Sequence, residues 1–250
     1  MSVLLPEDFG AVRVLSLNRP DSRNALTMAL MEAILDALRY AEADATIGAV
    51  VLTGSGRGFC AGADLVELRD PAQRHLAERR SELNQQLQTT MSTMTKPVVA
   101  AINGAAAGSG AAIALGCDLI VMTASAKLGY PEIRHGIAPT MMVPNLVRQV
   151  GLKVAFELLS LGELIPAQRA WEIGLANRVV PDDELLTEAV RIAGTLAAAN
   201  RSAMATTKRL FYEAADQTFE AALASARAAS RQARAANAAG TTDGLIKARG

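Results

Sequence analysis

Between residues 11 and 18 the chain reads AVRVLSLN, apolar and polar side chains alternating with a period of two, which predicts a half-buried β-strand. A turn-rich segment, RPDSRNA, follows. Leu26, Leu30, Ala33, Ile34, Ala37 and Leu38 then recur at helical spacing, so the strand leads into a helix. Three later runs are apolar without alternation: Ala49 to Thr53, Val98 to Ile102 and Leu119 to Thr123. Such runs suit strands covered on both faces. Between them lie Leu65 to Arg69, a long polar-rich pattern from Ala72 to Met94, and a small-residue helix at about Ser109 to Leu115. Strands alternating with helices predict an α/β architecture.

After Pro144 the pattern turns to helix: LVRQVG, then LKVAFELLSLG with Gly162 as a stop, then PAQRAWEIG with Pro166 in the first turn and Gly174 just beyond the end. NRVV is a short strand. From Asp182 onward nearly everything reads as helix, and Thr218 to Ala239 is rich in Ala and Arg. Phe211, Tyr212 and Phe219 give this tail apolar material to pack, so it is expected to dock on the core or on a neighbouring subunit. No internal repeat or disordered linker interrupts the chain. The expected organisation is a main core over residues 1–195 and a helical C-terminal region over 196–250.

Composition narrows the function classes. At 250 residues the chain can bury a full core. Lys plus Arg and Asp plus Glu are both 25, the formal charge is zero and the isoelectric point is near 6.8, so nothing points to a polyanionic partner such as nucleic acid. Apolar stretches such as Ala111 to Met122 are broken by Asp118 or too short to cross a bilayer, and MSVLLPEDFG lacks a basic leader and a hydrophobic core. A soluble, cytoplasmic protein with no membrane partner is expected. Cys60 and Cys117 sit in apolar or Gly/Ala-rich surroundings and read as small buried hydrophobes. His75 and His135 lack the Cys or carboxylate spacing that suits zinc, so no metal site is expected.

Two loops could carry chemistry, SGRGFCAGADL at 55–65 and NGAAAGSGAAIALGCD at 103–118. Both put Gly and Ala where an apolar strand ends and a helix begins, so the first N–H groups of each helix point outward unpaired. Two such groups converging on one oxygen would form an oxyanion hole, and small side chains let the ligand oxygen reach the backbone. Close helix packing through alanine is the favoured explanation of the second loop when it is taken alone. Other motifs fit poorly. GSGAAI has Ile113 where a dinucleotide fingerprint needs its third glycine, no Lys-Ser/Thr follows for a phosphate loop, and Ala107 stands where a G-x-S-x-G nucleophile elbow needs glycine.

NRPDSRNAL, SGRGFCAGADL, KPVVAAINGAAAGSG with CDL after it, LGYPEIRHGIAP, and LLSLGELIPAQRAWEIGLANRVVP occur in an order and spacing that resemble the enoyl-CoA hydratase/isomerase (crotonase) family. The resemblance spans roughly residues 10–210, with FCAGADL and PEIRHGIAP its most specific parts. It implies a crotonase-like spiral of βαβ turns with a helical C-terminal region that builds trimers, often paired into hexamers. It also implies stabilisation of a coenzyme A thioester enolate by two backbone amides, at positions that match Ala63 and Ser109 here. On the same resemblance the Ala61 carbonyl meets the adenine of coenzyme A, Arg23 and Ala25 belong to the segment near the nucleotide, Asp64 and Leu65 continue the acyl-CoA wall, and Gly108 with Ser109 borders the thioester. Coenzyme A is part of the substrate, so no separate cofactor is implied. Ser109 replaces the more usual glycine.

Hydratases of the family typically use two glutamates to position and activate water. Here the first position is Ala112, and the second, in PEI, is Glu132. One carboxylate suffices to carry a proton between the α and γ carbons, which favours an isomerase on physical grounds; hydration is weakened but stays open if another donor orients the water. His135, three residues on, shares a helical face with Glu132 but reads as a surface histidine. Glu67 and Asp70 read as part of a solvated helix, and Met141 and Met142 as acyl-pocket or core filler. The ending TTDGLIKARG keeps the family's acidic-glycine pair as Asp243 and Gly244 but stops before its aromatic. The expectation is therefore an enoyl-CoA hydratase or isomerase with Glu132 as its acid/base. The alternatives are a non-catalytic acyl-CoA-binding homologue, or another thioester enolate reaction, hydrolysis or carbon–carbon cleavage, on the same scaffold.

Overall fold

The structure, a computed structural model, describes residues 2–238. In chain order the strands are β1 (Leu4–Phe9), β2 (Val12–Leu17), β3 (Ala49–Gly54), β4 (Gly58–Cys60), β5 (Val98–Ile102), β6 (Ala105–Ala107), β7 (Leu119–Thr123), β8 (Lys127–Gly129), β9 (Leu164–Pro166) and β10 (Arg178–Val180). The helices are α1 (Met28–Ala43), α2 (Leu65–Arg69), α3 (Ala77–Thr93), α4 (Ser109–Gly116), α5 (Val143–Leu161), α6 (Ala167–Glu172), α7 (Leu185–Ala197), α8 (Arg201–Ala214) and α9 (Phe219–Ala238). The three continuous apolar runs are β3, β5 and β7, and the small-residue helix is α4. The segment beginning at Ala72 divides into a 3₁₀ turn at Pro71–Leu76 and then α3.

The chain winds as a spiral. A six-stranded sheet has the order β1-β2-β3-β5-β7-β10 and a four-stranded one the order β4-β6-β8-β9. Strands β3, β5 and β7 lie parallel in the large sheet, and each is followed within a few residues by β4, β6 or β8, which lie parallel in the small one. Each turn thus contributes one strand to either sheet before a helix carries the chain onward.

Both faces of the large sheet are covered, which explains the unbroken apolar runs. Val50, Leu52, Val98, Ala100, Ile102, Ile120 and Met122 point into the main core, against α1, α3 and α4. The alternate residues Val51, Val99, Ala101 and Val121 pack under Leu185, Ala189 and Ala193 of α7. Strand β2 belongs to the same arrangement: Leu15 and Leu17 face one side, Val12 and Val14 the other. It is buried on both faces, unlike the half-buried strand its alternation predicts, because the flanking β1 and β3 enclose it and α7 covers its outer side.

The stop signals act where the sequence puts them. Gly151, between LVRQVG and LKVAFELLSLG, has φ +74° and kinks α5, and Gly162 caps it in the left-handed conformation. Helix α8 is tied to the core by a buried cluster: Lys208 Nζ lies 2.7 Å from Asp118 Oδ2 and 2.8 Å from the Lys96 carbonyl, the Tyr212 hydroxyl donates to Asp118 Oδ1 at 2.8 Å, and the Val98 N–H donates to Asp118 at 2.7 Å. Phe211 and Phe219, expected as packing material, are 69% and 76% exposed within this chain. Asp243 and Gly244 lie outside the described residues. Among the described residues no helix is long and apolar enough to cross a membrane.

Candidate active site

The small-residue loops meet at the N-terminus of α4. Gly108, which precedes the helix, has φ +54° and ψ −123°, a conformation that favours glycine. Its N–H donates to the Gly129 carbonyl at 2.9 Å, and a Cβ at this position would lie 2.3 Å from Glu132 Oε1. Glycine is required because the Glu132 carboxyl rests directly on it. Ser109 opens the helix, so its N–H has no acceptor within the helix, and among the described residues no hydrogen bond to another element engages it.

The second loop comes alongside. Leu26 bridges Ala63 in parallel, the Leu26 N–H donating to the Gly62 carbonyl at 2.8 Å and the Asp64 N–H to the Leu26 carbonyl at 3.0 Å. Successive N–H groups of extended backbone point to opposite sides, so the Ala63 N–H points away from Leu26, and it too engages no acceptor among the described residues. Gly62 packs against the other loop: a Cβ there would lie 2.9 Å from the Ala107 carbonyl oxygen and 3.7 Å from the Ser109 nitrogen. Two backbone donors without an acceptor among the described residues, one from each loop, thus lie on segments packed against each other.

Glu132 sits on a 3₁₀ turn, Pro131–His135, and is half-buried. Its Oε2 is shut off from solvent with no hydrogen-bond partner among the described residues. Burial pushes its carboxyl above the ordinary glutamate range, opposed in part by its own backbone N–H and by His135. His135 itself is exposed. Tyr130, two residues before Glu132, is fully buried, and its hydroxyl also lacks a partner.

Of the other predicted residues, Asp64 and Leu65 line an open cleft. Arg23 is exposed, with φ +51°, and its carbonyl accepts the Ala61 N–H at 3.0 Å, joining two segments far apart in sequence. Ala25 is 9% exposed and Ala61 is exposed. Asp64 turns inward: it caps α2 through the Val66 and Glu67 N–H groups and pairs with Arg19 at 2.8 Å, and those contacts hold its carboxyl below the usual range despite burial. Leu65 is 44% exposed and, with Arg19, Ser22, Thr27 and Val66, lines an open cleft of about 810 Å³. Met142 is buried and Met141 packs partly against the core. Cys60 is fully buried, its Sγ 3.1 Å from the Asn24 carbonyl oxygen, and burial pushes its thiol up to about 12.

Glu67 differs from the solvated role its sequence suggests. It accepts the Met28 N–H through both oxygens at 3.1 and 3.2 Å, and Arg80 lies 3.4 Å away. Two further residues escape sequence reasoning. Asn24, with φ +56° and no exposure, donates to the Ser55 and Gly58 carbonyls at 2.9 Å and accepts the Arg19 N–H at 2.8 Å, and so fixes the first loop. Asn84 donates to Ser109 Oγ at 3.1 Å from α3. The only trace of Asn84 in sequence is an amide pair with Gln88, four residues apart beside the buried stripe Leu83, Leu87 and Met91.

Known proteins carry the same pattern. The family model for enoyl-CoA hydratase/isomerase matches residues 7–242. A putative enoyl-CoA hydratase of Thermus thermophilus is 41% identical over 203 residues, 80% of either chain. The 2,3-dehydroadipyl-CoA hydratase of Escherichia coli is 36% identical over 228 residues, 91% of this chain and 88% of that one. The crystal structure of an enoyl-CoA hydratase from Mycobacterium smegmatis superposes with a TM-score of 0.87 at 34% identity, covering 91% of this chain and 89% of that one. With the fold, the meeting loops and these likenesses in agreement, this enzyme belongs to the enoyl-CoA hydratase/isomerase family.

Proposed function

We propose that the enzyme adds water across the double bond of an enoyl-CoA thioester, through an enolate whose oxygen is held by the N–H groups of Ala63 and Ser109, with Glu132 as its acid/base. The observation that carries this reading is Glu132: a buried carboxyl with one oxygen unpartnered, resting on the residue before a free helix N–H. A buried carboxylate left short of hydrogen bonds is costly to keep, and a substrate or water proton is its natural partner. In the forward direction Glu132 takes a proton from water as the oxygen bonds to the β carbon. The π electrons move to the thioester, and two backbone donors stabilise the resulting oxyanion. Glu132 then returns the proton to the α carbon. The steps call for no separate cofactor, coenzyme A being part of the substrate.

Hydration is favoured over double-bond shift because both curated relatives compared above are named hydratases. The cleft beside Ala61, Asp64 and Leu65 is assigned to the coenzyme A portion, with Arg23 and Ala25 at its outer end and Gly108 beside the thioester. Leu152, Phe156, Phe211 and Phe219 are each more than two thirds exposed, and these apolar side chains support a trimer, alone or paired, in which residues 196–250 help to build the contact. The decisive assay incubates wild type and Glu132→Gln with crotonyl-CoA and with a 3-enoyl-CoA and identifies products by mass spectrometry. A hydrated product from crotonyl-CoA, lost in the variant by a hundredfold or more, is expected. Binding of both thioesters without turnover would make the protein an acyl-CoA binder, and a shifted double bond alone would make it an isomerase.

A further inference from the structure

The first turn of α4 carries one polar side chain. Ser109 is 8% exposed, and its Oγ accepts a hydrogen bond from Asn84 Nδ2 at 3.1 Å. Asn84 Oδ1 in turn accepts from Gln88 Nε2 at 2.9 Å. An amide NH₂ only donates, so the direction of this relay is set, and it takes one lone pair of the hydroxyl. One lone pair and the hydroxyl hydrogen remain, and no described residue uses them. Ser109 directly follows the glycine on which Glu132 Oε1 rests, while one turn on Ala112 is 2% exposed and offers only a methyl group. Polar chemistry on this side of the helix therefore belongs to Ser109.

We propose that the Ser109 hydroxyl holds the water that adds to the β carbon, and that Asn84 is a positioning residue that orients this hydroxyl. The inference rests on the hydration reading above. The attacking water gives one proton to Glu132, and its other hydrogen bonds to the remaining Ser109 lone pair, so that its own lone pair faces the carbon. Serine is neither protonated nor deprotonated overall, and Glu132 passes the transferred proton to the α carbon. The Ser109 backbone N–H serves the thioester oxygen independently, so removing the hydroxyl alone separates the two roles.

The test compares two reactions on the same protein. Hydration of crotonyl-CoA needs the water held, whereas exchange of the α protons of butyryl-CoA in D₂O needs only the oxyanion donors and Glu132. Ser109→Ala and Asn84→Ala are expected to lower the hydration kcat by roughly tenfold to a hundredfold, the worth of one well-placed hydrogen bond. For Asn84→Ala, KM and α-proton exchange should stay within about threefold of wild type, and the double variant should hydrate no more slowly than Ser109→Ala, since the two side chains act as one unit. Ser109→Gly makes the same deletion by a second route. Equal loss of hydration and exchange, or loss of neither, overturns the assignment. Glu132→Gln serves as the separate check on the underlying reading: it should abolish both reactions, and if it leaves both intact the hydration mechanism fails, whatever Ser109 does.

Discussion

Replacing Gly108 by alanine separates the geometry of the site from the stability of the fold. At φ +54° and ψ −123° an L residue is strained by about 1 to 3 kcal/mol. The added Cβ would stand 2.3 Å from Glu132 Oε1 and 3.1 Å from its Cδ, so the carboxyl must retreat by more than half an ångström. Displacements on the order of an ångström cost about a hundredfold when reacting groups are positioned by contact. Gly174 supplies the control: its φ is +80°, a Cβ there meets nothing within 4 Å, and it lies away from Glu132. Gly174→Ala should lose roughly 1 kcal/mol in urea unfolding with kcat unchanged. Gly108→Ala should lose a similar amount and, in addition, about a hundredfold in kcat/KM for crotonyl-CoA. If the two variants kept the same activity, the Glu132 carboxyl would not be working from its seat on Gly108.

Four further outcomes follow from the same structure. Because burial raises the Glu132 pKa and the hydration base must start ionised, kcat/KM should rise with pH through an apparent pKa above the ordinary glutamate value of about 4.3. By linkage, a raised folded-state pKa means a stability contribution present below the unfolded pKa and lost as pH rises through the folded one, so Glu132→Gln should be more stable than wild type at neutral pH in a denaturant titration. Asp118→Ala would leave Lys208, 5% exposed, without its counter-charge and free the Val98 N–H and Tyr212 hydroxyl, at a cost of about 3 kcal/mol or more in urea unfolding. Tyr130→Phe removes a buried hydroxyl that has no partner among the described residues and should raise the free energy of urea unfolding by roughly 1 kcal/mol.

What the sequence made legible is what side-chain periodicity records. Strands β5 and β7 appear as runs with the observed ends, since both their faces are covered and every position but Thr123 is apolar. The break in α5 is visible because Gly151 interrupts the pattern where the helix kinks. Strands β4, β6, β8 and β9 are three residues each, GFC, AAA, KLG and LIP, too short for a strand period to show in the side chains. Strand β1 has only Leu4 buried. In the site, the resemblance to a family singled out Glu132, but its seat on Gly108 depends on β6 pairing with β8. Glu67 was misleading because its partners are non-local: the Met28 N–H lies 39 residues away and Arg80 lies on another helix. Asn84 reads as an ordinary polar helix position until α3 packs on α4 and brings it to Ser109.

The central claim is that two main-chain donors grip one thioester oxygen beside one carboxyl. A crystal structure with a bound, unreactive acyl-CoA thioester examines it most directly. The account predicts the thioester oxygen about 3 Å from both the Ala63 and Ser109 nitrogens, with the Glu132 carboxyl facing the α carbon. An oxygen bound elsewhere, or a Glu132 side chain turned away from the acyl group, would contradict it.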